Sequence, residues 1–237
     1  AATLRDYLER TVNQGGSNKV YIEGYHIGAK TGTAQKVNPL TGSYESGKYI
    51  SSMAGFATVE NPQITVFLSI DEPSNGAYYA GTVTAPLGKI LLEDIFNYLD
   101  SEFSQDENVI LKDIVIPELR GLSVSEAKKL LKEYNLECTV EGNGETVTNM
   151  QPYPGYTIKE GSTINLYTDE NATYNKDVVM PDVRGYSKES AVELLEGLGI
   201  KYTLQGDGVV INQNIPSGEL ISEGTTVKLT LSAEYGD

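Results

Sequence analysis

A chain of 237 residues with 39% hydrophobic content fits one large domain or two to three small ones with modest cores. Its formal net charge of -15 argues against a nucleic-acid or anionic-membrane partner, because phosphate surfaces repel such a chain. One cysteine, Cys138, rules out an intrachain disulfide, and one Cys with one His makes no zinc set; no cofactor is expected.

The spacing of Leu4, Leu8 and Val12 predicts a helix over residues 3–13, with Arg5, Asp6, Glu9 and Arg10 on the wet side. Residues 14–18, rich in Gly and Asn, end it. Residues 23–37 read as a strand with Lys30-Thr31-Gly32-Thr33 at its heart. Lys30 brings a fixed cation, and Thr31 and Thr33 bring hydroxyl donors. Gly32 lacks a side chain, so a ligand can approach the main chain there. The combination suits an anionic group held flat against a strand.

A turn at 38–43 leads to a second strand at 49–59. The third, at 64–70, is apolar on both faces, as a central strand covered on each side would be. Hairpin connections imply an antiparallel sheet. A loop at 72–81 carries Tyr78 and Tyr79, which suit either a substrate groove or plain packing. Leu87, Ile90, Leu91, Ile95, Tyr98 and Leu99 then predict a core-facing helix over 83–99, with Pro86 tolerated in its first turn.

Residues 101–113 are acidic and polar and read as a linker. A repeat follows. Ile116-Pro117-Glu118-Leu119-Arg120-Gly121 recurs as Met180-Pro181-Asp182-Val183-Arg184-Gly185, at an offset of about 64 residues, with one deletion expected between Gly208 and Gln213. Each copy predicts a short strand, a turn at Arg-Gly, a helix with an Ala-x-x-Leu-Leu stripe, and strands closing a small three-stranded sheet under it. Leu136, Cys138 and Val140 alternate with Glu137, Thr139 and Glu141, so Cys138 is expected to face inward as a packed apolar residue rather than a reactive thiol. Residues 170–177 join the copies.

Tyr25-His26-Ile27-Gly28-Ala29-Lys30-Thr31-Gly32-Thr33-Ala34-Gln35-Lys36 closely resembles the third active-site motif of class B penicillin-binding proteins, the D,D-transpeptidases of cell-wall synthesis. The repeat resembles two PASTA modules. The resemblance implies an α+β chain: residues 1–100 as the C-terminal part of a transpeptidase domain, 114–169 and 178–234 as PASTA modules. It implies that Lys30 binds the carboxylate of the acyl donor or of a β-lactam and assists proton transfer. Thr31 and Thr33 would bind the same carboxylate alongside Gly32, and the Thr33 N–H would form half of an oxyanion hole. His26 is not required by the family, and a structural role is expected for it.

No nucleophile accompanies this box. The single Ser-x-x-Lys, Ser125-Glu126-Ala127-Lys128, falls on the first repeat helix, where both residues read as surface, and no Ser-x-Asn occurs. The resemblance therefore implies that the serine and a membrane anchor lie upstream, on the outer face of a bacterial membrane, and that this chain alone is inactive. Implied partners are the peptidoglycan stem peptide, β-lactams in the intact parent, and the upstream half of the domain or a second copy. A non-catalytic muropeptide-binding or spacer protein is the rival reading. The residues do not separate a sporulation role from a vegetative one.

Overall fold

The computed structural model describes residues 1–15, 17–74, 76–103, 110–169 and 176–233. The chain forms two compact units, residues 1–110 and 111–232.

In the first unit α1 (Ala2–Asn13) precedes β1 (Ile27–Val37), β2 (Tyr44–Ala57), β3 (Ile64–Asp71) and α2 (Thr84–Phe103). The three strands form an antiparallel sheet in the order β1-β2-β3. Period-2 alternation sorts the side chains. Met53 and Val66 are buried on the inner face, whereas Lys30, Gly32, Ala54 and Phe67 are exposed on the outer one.

Several expectations are corrected. The first strand starts at Ile27 rather than Glu23, because Gly24 takes a positive φ of 82° and turns the chain. The second starts five residues early, at Tyr44, so the hairpin reaches beyond β3. The third, at the edge of the sheet, is not covered on both faces: Phe67 on its outer face is 71% exposed. On α1, Leu4 is exposed, while Arg5 and Glu9 turn inward: Arg5 Nη2 donates to the Glu60 carbonyl at 3.1 Å, and Glu9 pairs with His26.

The α2 stripe is also rotated. Ala85, Gly88, Leu92 and Phe96 face the sheet, and Ile95 and Leu99 flank them. Leu87, Ile90, Leu91 and Tyr98, expected to be core, are exposed. Gly88 explains the choice. A Cβ there would lie 2.3 Å from Met53 Sδ, so the helix approaches the sheet through its small residues. The helix also runs on to Phe103, into the stretch read as linker, and residues 104–109 lie outside the described residues.

The second unit contains the repeat. The first copy comprises β4 (Asp113–Val115), α3 (Val124–Glu133), β5 (Glu137–Glu141), β6 (Asn149–Gln151), β7 (Thr157–Lys159) and β8 (Thr163–Tyr167). The second comprises β9 (Val178–Val179), α4 (Lys188–Gly197), β10 (Lys201–Gln205), β11 (Val209–Gln213), β12 (Leu220–Ile221) and β13 (Thr226–Ser232). Each has a three-stranded sheet, β5-β8-β6 or β10-β13-β11, plus a two-stranded ribbon, β4-β7 or β9-β12. The ribbon was not anticipated.

Each helix begins at a serine N-cap. Ser123 accepts from the Glu126 amide and Glu126 reaches back, a reciprocal capping box that also holds the Glu126 carboxyl below its ordinary range. Ser187 caps α4 through the Ser190 amide. Ala127 and Leu131, and Ala191 and Leu195, are buried beneath. Cys138 is half-buried against the core as expected, but Val140 is exposed.

Matching hydrogen bonds locate the deletion. Leu136 N to Leu131 O corresponds to Ile200 N to Leu195 O, and Val147 N to Leu122 O corresponds to Val210 N to Tyr186 O. The first pair keeps the full repeat offset, whereas the second is one residue short. Val124 N to Glu145 O corresponds to Lys188 N to Gly208 O, so the loss lies before Gly208, in the turn after Gly206. That is slightly earlier than expected, and a turn absorbs it without breaking a ladder.

The copies dock on each other within this unit. Arg120 and Arg184 each clasp the acid two residues earlier, Glu118 and Asp182. The Arg120 side chain is 0% exposed and that of Arg184 is 37%, because Arg120 Nη2 also donates to the Asp177 carbonyl at the entry to the second copy. Beside it Val179 N donates to the Pro154 carbonyl at 2.8 Å. Gly155 sits in the left-handed region, and a Cβ there would fall 1.8 Å from the Val179 carbonyl oxygen; its repeat counterpart Gly218 has open space. Gly155→Ala and Gly218→Ala carry the same backbone strain. Only the first also clashes, so calorimetry should show it lowering the melting temperature of the second unit well beyond Gly218→Ala. Equal shifts would mean the docking contributes nothing.

Candidate active site

The motif is built on an edge strand. β1 pairs with β2 on one side, with Lys30 opposite Ala54, Thr31 opposite Met53, Gly32 opposite Ser52 and Thr33 opposite Ser51. No strand covers its other edge among the described residues. Alternation puts Lys30 and Gly32 on the outer face and Thr31 and Thr33 on the other, so both sets flank the free edge. Lys30, Gly32 and Thr33 are exposed, and Thr31 is half-buried.

Lys30 Nζ donates to the neighbouring Thr31 carbonyl at 2.8 Å. A Cβ on Gly32 would meet only Ser52 Oγ, at 3.0 Å, so the backbone is open to approach there. Thr33 Oγ1 accepts from Ala80 N at 2.9 Å. Behind the strand, Thr11 Oγ1 donates to the Ala29 carbonyl and ties α1 to the base of the motif. The edge can therefore offer one cation, two hydroxyls and unobstructed main chain to an anion.

The loop carrying Tyr78 and Tyr79 folds over the Thr33 end. Tyr78 stacks on Tyr49 with ring centroids 4.0 Å apart, and Tyr79 tilts against Tyr78 at 4.4 Å. Tyr78 is half-buried in this stack and Tyr79 is exposed. The Tyr78 hydroxyl is pushed up to about 12, chiefly by its side-chain hydrogen bond with Tyr79. Ser51 and Ala80 in this cluster were missed. The available signal was a serine at an inner-face position, between Tyr49 and Met53 in the alternation.

His26 Nδ1 lies 2.5 Å from Glu9 Oε1 and 3.5 Å from Glu60 Oε1. It precedes the strand and is engaged by Glu9 of α1. Ser125 and Lys128 are exposed on α3, and Ser125 Oγ lies 3.0 Å from the capping Ser123 Oγ. No group of metal-ligating side chains occurs among the described residues.

An antiparallel sheet with helices, an edge strand bearing Lys-Thr-Gly-Thr, and two helix-on-sheet repeats fit a transpeptidase segment joined to two small repeated modules. Residues 1–93 match the penicillin binding protein transpeptidase domain, and residues 114–170 and 178–233 each match the PASTA domain. The chain thus carries the domains found in the C-terminal part of class B penicillin-binding proteins.

It is 32% identical over 176 residues to stage V sporulation protein D of Bacillus subtilis (strain 168), covering 70% of this chain and 26% of that protein. To the peptidoglycan D,D-transpeptidase FtsI of Buchnera aphidicola subsp. Baizongia pistaciae (strain Bp) it is 40% identical over 94 residues, 39% of this chain and 16% of the relative. Among solved structures, penicillin binding protein 3 of Mycobacterium tuberculosis complexed with ampicillin is 30% identical, with 47% of this chain and 27% of that chain covered and a TM-score of 0.37. The chain therefore spans 26% of the sporulation protein's length and 16% of the Buchnera transpeptidase's.

Proposed function

We propose that this chain is the C-terminal portion of a peptidoglycan D,D-transpeptidase that cross-links stem peptides and is acylated by penicillin. In that reaction a serine hydroxyl attacks the D-Ala-D-Ala carbonyl and D-Ala leaves with the proton. The acyl group then passes to an amine of a neighbouring stem. The nucleophile lies outside these 237 residues. Lys30 pairs with the donor carboxylate and favours proton transfer, Thr31 and Thr33 hydrogen-bond that carboxylate, Gly32 admits it, and the Thr33 N–H supplies half of the oxyanion hole. The rings of Tyr78 and Tyr79 border the same groove.

One observation carries the reading. Lys30 and Thr33 flank the unpaired edge of β1 with exposed polar atoms, in the pattern an anionic acyl donor requires. The same reading puts the protein outside the cytoplasmic membrane, anchored by a segment not contained here; among the described residues no helix is long and apolar enough to cross a membrane.

A fluorescent penicillin followed by denaturing electrophoresis tests the assignment. The 237-residue polypeptide should give no covalent band, because its Ser125 is a surface residue at a helix start, whereas the full-length protein should label stoichiometrically. A band on the short polypeptide, or none on the full-length protein, would overturn the assignment.

A further inference from the structure

For Thr33 to bind a carboxylate, its hydroxyl hydrogen must point outward. A threonine hydroxyl both donates and accepts, so its direction is set by its neighbours. The Ala80 N–H occupies an acceptor position on Thr33 Oγ1 at 2.9 Å. The hydroxyl hydrogen turns away from that N–H and remains available to an incoming anion. The amide of Ala80 thereby makes Thr33 a donor before substrate arrives.

Ala80 is itself held in place. Ser51 stands opposite Thr33 in the β1–β2 register, on the buried face beside Met53. Its side chain is fully buried, and its hydroxyl donates to the Tyr78 carbonyl. Two bonds two residues apart, Ser51 to Tyr78 and Ala80 to Thr33, clamp the loop to the strand pair. On the far side the Ala80 carbonyl accepts from the amides of Thr84 and Ala85, at 3.0 and 2.9 Å, as α2 begins. A fully buried hydroxyl costs free energy unless it is bonded, so Ser51 fits the position through this contact.

We propose that Ser51 is a positioning residue for carboxylate capture: through Tyr78 it fixes the Ala80 amide that orients the Thr33 hydroxyl. This rests on the transpeptidase reading above. The test uses full-length protein, with acylation by a carboxylate-bearing penicillin resolved into its binding and chemical steps, and hydrogen exchange of the Ala80 amide measured in parallel. Ser51→Ala should raise Ala80 exchange and weaken the binding step about five- to tenfold, the size of one neutral hydrogen bond. The chemical step should stay within about twofold, and Ser51→Thr should restore both readouts. In a Thr33→Ala background, Ser51→Ala should add nothing, because the two act through one contact.

Unchanged binding in Ser51→Ala, or an equal further loss in the Thr33→Ala background, would overturn this role and leave the transpeptidase reading standing. No acylation of the wild-type protein would sink that reading instead. In that event unchanged Ala80 exchange in Ser51→Ala would also remove the clamp itself.

Discussion

Lys30→Ala in the full-length protein should slow acylation by penicillin about 10²–10³-fold, the usual cost of one lost transition-state contact. The substitution removes a cation beside the edge proposed above to take the donor carboxylate. It should leave the fold intact, for a geometric reason. Lys30 is exposed on the outer face of β1, and among the described residues its ammonium bonds only the adjacent Thr31 carbonyl. Neither the sheet core nor α1 depends on it. Stopped-flow acylation and a thermal melt on the same sample separate the two effects. Rates within about threefold of wild type would make Lys30 an ordinary surface residue. A collapsed melting temperature would mean that the loss reflects unfolding rather than chemistry.

The second large effect concerns the stability of the first unit. In the 237-residue polypeptide, β3 should be weakly protected from hydrogen exchange unless the chain associates. Leu87, Ile90, Leu91 and Tyr98 line the outer side of α2, and Phe67 stands on the uncovered face of β3. Each such side chain contributes ~1.5–3 kcal/mol when buried. Left wet, the set forfeits an amount comparable with a whole domain's ~5–15 kcal/mol. The outer edge of β3 also has no strand partner among the described residues and offers a template for pairing. The unit is therefore expected to need a cover: the upstream half of the transpeptidase domain, or a second copy paired edge to edge. Residues 111–232, with their own buried cores, should be protected without help. Exchange mass spectrometry with a solution mass decides it. A monomer with strong protection across Ile64–Asp71 would contradict this account.

Much of the molecule was legible before its fold. The repeat is a local property, because the same strand, turn and capped helix follow wherever the same residues recur. The Lys-Thr-Gly-Thr box was equally legible, since it needs only a strand and a chemical order. Helix positions came from 3.6-residue periodicity, and turns from Gly, Asn and Pro.

What the sequence could not decide was which surface each element would use. Residues 84–103 carry two apolar stripes, and periodicity marks both. Only the close approach of Gly88 to Met53 selects the Ala85–Leu92–Phe96 side and leaves Leu87 and Ile90 outside. Strand 64–70 reads as doubly covered because both its faces are apolar, yet its outer face is open and leaves Phe67 exposed. The two Pro-acid-x-Arg-Gly turns read alike, and only docking of the second copy buries Arg120 while Arg184 stays wet. The clamp from Ser51 to Tyr78 spans 27 residues, and that from Ala80 to Thr33 spans 47. Contacts of that range depend on how elements pack, and local patterning carries no record of them. The sequence by itself determined the repeat, most of the helices and strands, and the Lys-Thr-Gly-Thr order on one strand. The tertiary structure alone decided which faces are covered and that the Ala80 amide reaches the Thr33 hydroxyl oxygen.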